Sequence, residues 1–195
     1  MMYNKIMLIN PKPEVVENSH VKDYEKLYKE SIANPELFWK NIAKELSWYK
    51  PWEKVLDWKF PYARWFVGGQ TNIVYNALDR WQTTDVRDKT ALIWISQPFD
   101  SAQGKERRFT YGQLNEEVSK FANGLKSLGV KKGDKITIYL PRIPEQFIAM
   151  LACLKIGAIH SVVYSGFSAD ALKNRVEDAQ AKIVICSNSY PYGKK

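Results

Sequence analysis

The sequence predicts an α/β protein: an amino-terminal helical and irregular collar, followed by an incomplete parallel βαβαβ sheet. Three observations carry this. From residue 90 onward, apolar runs of strand length alternate with stretches whose apolar residues recur every three to four positions. The strands and helices alternate with short connections, the pattern of a parallel sheet joined by right-handed crossovers. Before residue 90, by contrast, Trp, Tyr and Pro crowd the chain, with five Trp between Trp39 and Trp65.

Taken in order, residues 1–22 are a mixed polar leader, expected to be poorly ordered, and residues 23–89 are the collar. A helix is expected over Asp23 to Ile32, where Tyr24, Leu27, Tyr28 and Ile32 keep helical spacing. Pro35 suits the first turn of a second helix, with Phe38, Trp39, Ile42, Ala43 and Leu46 on one face. Pro51 and Pro61 break regularity, and Gly68-Gly69 marks a turn. Asn72 to Trp81 reads as a helix with Ile73, Ala77, Leu78 and Trp81 turned inward. The collar has little room for a core of its own and is expected to pack on something larger.

Residues 90–195 follow the α/β pattern. Thr90 to Ser96 is a strand that Arg107 to Thr110 can pair with across a polar loop. Tyr111 to Leu128 is an amphipathic helix on Leu114, Val118, Phe121, Leu125 and Leu128, stopped by Gly129. Strand Lys135 to Leu140 ends at Pro141. Helix Glu145 to Ile156 is apolar almost all round and stops at Gly157. Strand Ile159 to Tyr164, helix Ala169 to Ala179 with Ser168 as its cap, and strand Lys182 to Cys186 complete the set. The chain runs nine residues past that last strand, so the sheet reads as unfinished.

Composition bounds the function classes. At about 150 residues per domain, 195 residues correspond to roughly 1.3 domains. A hydrophobic fraction of 45% excludes a disordered chain. No apolar run reaches the roughly 18–20 residues of a membrane span, and Met1 to Asn10 is too short and mixed for a signal peptide. Two Cys exclude a disulfide scaffold and fit a reducing compartment, so a soluble cytoplasmic chain is expected. The net charge is +8, from 29 Lys and Arg against 21 Asp and Glu. The bases are interleaved with acids, as in Lys105-Glu106-Arg107-Arg108, and no nucleic-acid-binding motif is present, so a solvated basic surface is the reading.

No self-contained active site is visible. The chain has no GxxxxGK[ST] phosphate loop, GxGxxG turn or GxSxG elbow, and no Cys or His pair at metal spacing. His160, at the start of a buried strand, reads as a hydrogen-bonded core or strand-end histidine, and Cys153 and Cys186 as small core residues. Two places keep functional weight. One is Tyr164-Ser165-Gly166-Phe167, the turn at the carboxyl end of a parallel strand, where open α/β sheets bind ligands. The other is the tail Tyr192-Gly193-Lys194-Lys195 after the next strand, at the same sheet edge, where basic side chains beside a glycine turn suit a phosphate.

Several strings then occur together and in order: Pro51-Trp52, Trp65-Phe66 with Gly68-Gly69, Asn76-Ala77-Leu78-Asp79-Arg80, Ala91-Leu92-Ile93-Trp94, Ala149-Met150-Leu151-Ala152-Cys153, Ile156-Gly157-Ala158-Ile159-His160-Ser161 and Gly166-Phe167-Ser168. Through them the chain resembles, from about Tyr24 to Cys186, the amino-terminal part of AMP-forming acetyl-CoA synthetases and their propionyl relatives. These belong to the adenylate-forming acyl-CoA synthetase family. The resemblance implies that residues 90–195 begin a large AMP-binding domain. It also implies a parent reaction in which ATP and a short carboxylate give an acyl-adenylate, from which CoA displaces AMP, with Mg²⁺ offsetting phosphate charge. The family's phosphate loop, acyl pocket, magnesium carboxylate and catalytic lysine lie further toward the carboxyl terminus, so no residue here is named catalytic and the chain alone is expected to be inactive.

What the resemblance does carry over concerns CoA. The turn at Ser165-Gly166 corresponds to the family's lining of the pantetheine passage, with Ser165 in place of a usual glycine. The family's basic motif for the nucleotide end of CoA falls on Tyr192, Gly193, Lys194 and Lys195, with Tyr192 and Lys195 standing where arginines are usual. Tyr192 lacks a guanidinium fork, and Lys195 is a point charge. A truncated gene product, half of a split gene and an expressed fragment all fit this reading. The expected partners are CoA, a missing carboxyl-terminal part or a full-length synthetase. A stand-alone binding module derived from the fold is the alternative.

Overall fold

The computed structural model describes residues 10–96 and 106–189. They fall into two compact units: residues 10–46 with 51–69, and residues 47–50 with the remainder from 70 onward.

In the first unit a short helix, α1 (Pro13–Asn18), forms inside the stretch read as leader. Helix α2 (Tyr24–Ala33) begins where the Asp23 carboxylate accepts from the Lys26 N–H, and Asn34 caps α3 (Pro35–Ala43) through the Leu37 N–H. Their apolar faces stay open: Tyr24, Leu27, Tyr28 and Ile32 are all exposed, and Ala43 is the buried hydrophobic residue of this unit among the described residues. The stretch around Pro51 and Pro61, read as irregular, is instead an antiparallel hairpin of β1 (Lys54–Lys59) and β2 (Tyr62–Val67). Pro61 sits in the connection between the strands, where it removes no ladder hydrogen bond. Trp65 meets Trp39 edge-on, at 6.5 Å between ring centroids, and Asp57 is bridged to Arg64 and Lys54 at 2.8 Å each. Gly68 turns the chain at φ +79°, and a Cβ there would lie 2.9 Å from Glu53 Cδ.

The second unit holds the hydrophobic core. The expected helix over Asn72 to Trp81 is shorter: α4 (Ile73–Ala77) ends early and a 3₁₀ turn covers Asp79–Trp81. Val74 and Leu78 enter the core, while Ile73, expected inward, is 63% exposed. Asn72 explains the register. Its Oδ1 accepts from the Val74 and Tyr75 N–H groups, and its Nδ2 donates to the Leu154 and Lys155 carbonyls. Strands β3 (Thr90–Ile95) and β4 (Glu106–Thr110) pair antiparallel. Helix α5 (Tyr111–Ser127) opens with a capping box between Thr110 and Gln113 and buries Leu114, Val118, Ala122 and Leu125. It packs on α6 (Pro144–Lys155), which buries Ile148, Ala149, Ala152 and Cys153.

The parallel sheet consists of β5 (Lys135–Tyr139), β6 (Ile159–Val162) and β7 (Ile183–Cys186), in the spatial order β6-β5-β7. Ile136 lies opposite both His160 and Ile183, and Ile138 opposite Val162 and Ile185. That face carries the core, since Ile136, Ile138, Ile183 and Ile185 all join it. The chain steps from β5 through α6 to β6, then back past β5 through α7 (Ala169–Ala179) to β7. Two right-handed crossovers running in opposite directions place α6 and α7 on opposite faces of the sheet. The loops leaving β5 and β6 therefore run over opposite faces of the sheet from the carboxyl ends of these strands. Cys186, expected in the core, is exposed at the end of β7, because that strand has a neighbour on one side only among the described residues.

Candidate functional site

The candidate site lies at the carboxyl ends of the three parallel strands. On β5, alternation sends Ile136 and Ile138 to the core face and Thr137 and Tyr139 to the other. Tyr139, the last residue of β5, reaches across to the segment after β6. Its hydroxyl lies 2.9 Å from the Ser165 carbonyl oxygen and 2.8 Å from that of Phe167. The turn itself closes through the Phe167 N–H on the Tyr164 carbonyl at 3.1 Å. Directly beyond it Ser168 caps α7, its hydroxyl accepting from the Ala171 N–H.

Aromatic and cationic groups frame this turn. Tyr164 and Phe167 meet edge-on at 5.7 Å, and the Arg175 guanidinium lies over the Phe167 ring at 4.5 Å. Both rings remain partly open, at 51% and 41% exposure, so they present apolar surface beside the turn. On the β5 side the loop is fixed by Trp94, whose indole N–H donates to the Arg142 carbonyl at 2.7 Å. Gln146 adds a bond to the Leu140 carbonyl.

Of the residues expected from sequence, Ser165 and Gly166 occupy this turn. Tyr192, Gly193, Lys194 and Lys195 lie outside the described residues. The last described stretch, Ser187 to Ser189, follows β7, whose Cys186 stands opposite Tyr139 in register. His160, expected to be hydrogen-bonded, has its Nδ1 buried without a partner among the described residues, and burial lowers its pKa. It faces the same side as Ile136 and Ile183, with the core, and away from the face that carries Tyr139. Burial pushes the Cys153 thiol up to about 11, which suits an inert core residue. Among the described residues no three His, Cys, Asp or Glu side chains converge to hold a metal ion. No helix among the described residues is long and apolar enough to cross a membrane.

Tyr139 was not visible as a site residue from sequence. Its partners lie 26 and 28 residues away, and only the pairing of β5 with β6 brings them together. The available signal was a polar-tipped aromatic ending a strand one crossover before a glycine turn. Such a residue carries an apolar body and a hydroxyl that seeks a partner.

Comparison with known proteins places these features in context. A family model described as "AMP-binding enzyme" matches residues 78–194, and one described as "Acetyl-coenzyme A synthetase N-terminus" matches residues 24–77. An acetyl-coenzyme A synthetase of Deinococcus radiodurans is 46% identical over 99% of this chain and 29% of its own length. That of Chlorobaculum tepidum is 46% identical over 91% of this chain and 27% of its own. That of Methanothrix thermoacetophila is 51% identical over 78% and 23%. The chain thus spans under a third of the length of these relatives.

Proposed function

Since the chain belongs to the AMP-binding enzyme family and carries an acetyl-coenzyme A synthetase amino-terminus, we propose that it is the amino-terminal part of an acetate–CoA ligase. Such a ligase forms an acyl-adenylate from ATP and a short carboxylate, and then acyl-CoA. Within that reaction the role of this chain is to bind CoA, not to perform the ATP chemistry. The observation that carries this reading is the Ser165-Gly166 turn at the carboxyl end of a parallel strand, held to β5 by the Tyr139 hydroxyl. Pantetheine, a narrow chain of two amides, would pass along this turn. Lys194 and Lys195, with Tyr192 and Gly193, would meet the phosphates at the nucleotide end.

Two measurements test this. The purified 195-residue chain, given acetate, ATP, Mg²⁺ and CoA, is expected to form no acetyl-CoA, yet to bind CoA with an affinity that falls as salt rises. Adding a polypeptide that spans the remainder of a full-length relative is expected to restore acetyl-CoA formation. Turnover by the chain alone would overturn the division of labour, and absence of CoA binding would overturn the site. A monomer that melts cooperatively, binds CoA and is not complemented would favour the alternative, a stand-alone binding module.

A further inference from the structure

A phenol from the neighbouring strand reaches two carbonyls of the turn after β6, which fixes the peptide groups around it. A phenol has one hydrogen to donate, so the carbonyls of Ser165 and Phe167 share it and both face Tyr139. In a trans peptide the C=O and the following N–H point in opposite directions. The N–H groups of Gly166 and Ser168 are therefore turned away from Tyr139. Neither donates to a backbone carbonyl among the described residues, whereas the intervening Phe167 N–H is spent closing the turn. The side-chain cap of Ser168 is engaged separately, with Ala171.

We propose that Tyr139 is a positioning residue for the pantetheine arm: by holding two carbonyls inward, it presents the Gly166 and Ser168 amides as donors to the amide carbonyls of that arm. The inference rests on the CoA reading above. It explains why a partly buried aromatic at a strand end carries a hydroxyl that bonds only backbone. A phenylalanine would fill the same space. Without the hydroxyl the turn keeps its Phe167–Tyr164 closure but loses the constraint on its two flanking peptide planes. The donors are then free to rotate out of line.

The test uses the whole chain with three probes: CoA, pantetheine alone, and adenosine 3′,5′-bisphosphate, which lacks the arm. Tyr139→Phe is expected to raise the Kd for CoA and for pantetheine by the same factor, about three- to tenfold, the scale of one hydrogen bond. It is expected to leave the Kd for the bisphosphate unchanged. In the unaltered chain, the ¹H–¹⁵N resonances of Gly166 and Ser168 should shift when pantetheine is added. Equal pantetheine affinity in the variant overturns the inference, as does an equal loss for the bisphosphate, which marks a merely structural role. Pantetheine binding that leaves both amides unmoved overturns it without the variant, should Tyr139→Phe not fold. If the unaltered chain binds neither CoA nor pantetheine, the CoA reading itself falls, and the inference with it.

Discussion

Asn72 offers the sharpest test of how the second unit is held together, because one side chain serves two helices. Its Oδ1 takes the N–H groups of Val74 and Tyr75 at 2.8 and 3.3 Å, and its Nδ2 gives to the Leu154 and Lys155 carbonyls at 3.1 and 3.2 Å. Those carbonyls belong to the last turn of α6, where Leu154 also accepts from the Gly157 N–H at 3.1 Å and Asn72 adds the side-chain donor. Asn72→Asp keeps the acceptor and destroys the donors. Two half-buried hydrogen bonds at about 1 kcal/mol each are lost. A carboxylate oxygen then faces the negative end of α6, at a further cost of about 0.5 kcal/mol. The sum is about 2–3 kcal/mol, or roughly 5–10 °C in Tm for a chain of this size. Asn72→Ser keeps a cap acceptor without placing a charge, and is expected to cost about 1–2 kcal/mol; Asn72→Ala, which also loses the cap, about 3. Urea unfolding followed by Trp fluorescence, with m compared across the set, reads these differences. The bridging role is refuted if Asn72→Asp lies within about 0.5 kcal/mol of the unaltered chain, the range of an ordinary surface substitution.

Two further predictions concern single groups. The Arg64 guanidinium and then the Lys54 ammonium beside Asp57 hold its carboxyl down to about 2. Because the folded value lies below the unfolded one, this contribution is complete above about pH 5 and fades as pH falls through 4 toward 2. An NMR titration of the Asp57 carboxyl should show this low midpoint, and a midpoint near 4 would remove the bridge from the hairpin's account. The two thiols should separate kinetically: Cys186 is exposed, whereas Cys153 is fully buried with its pKa pushed up to about 11. A thiol reagent should modify one cysteine promptly and the second only with unfolding. A prompt reaction surviving Cys186→Ala would contradict the assignment.

How far the sequence could be read depended on what each element buries and against what. Helices α5, α6 and α7 were legible nearly to the residue, because α5 lays a single apolar stripe on the core, α6 is apolar almost all round, and a glycine or a cap marks a boundary of each. The β1–β2 hairpin was not, because Trp58, Phe60, Tyr62, Trp65 and Phe66 place aromatic rings on both of its faces and hide the period-two signal. Pro61 then looked like a break, although it sits between the strands. The inward face of α4 was misassigned for another reason. Periodicity selected Ile73 and Ala77, but Asn72 fixes the start of the helix and Trp81 donates its indole N–H to the Asn76 carbonyl, so hydrogen bonds set the rotation. The candidate site divides in the same way. The glycine turn could be singled out as a candidate because it follows a parallel strand at its carboxyl end, a position that every such sheet offers. Tyr139 could not, since its meaning depends on β6 lying beside β5. On the proposed CoA reading, a ligand that threads past Gly166 would meet peptide groups whose direction is set from the neighbouring strand through Tyr139. Under that proposal, binding should favour an amide-bearing arm over a hydrocarbon chain of equal width, because only the former would return the hydrogen bonds that the turned-out N–H groups offer.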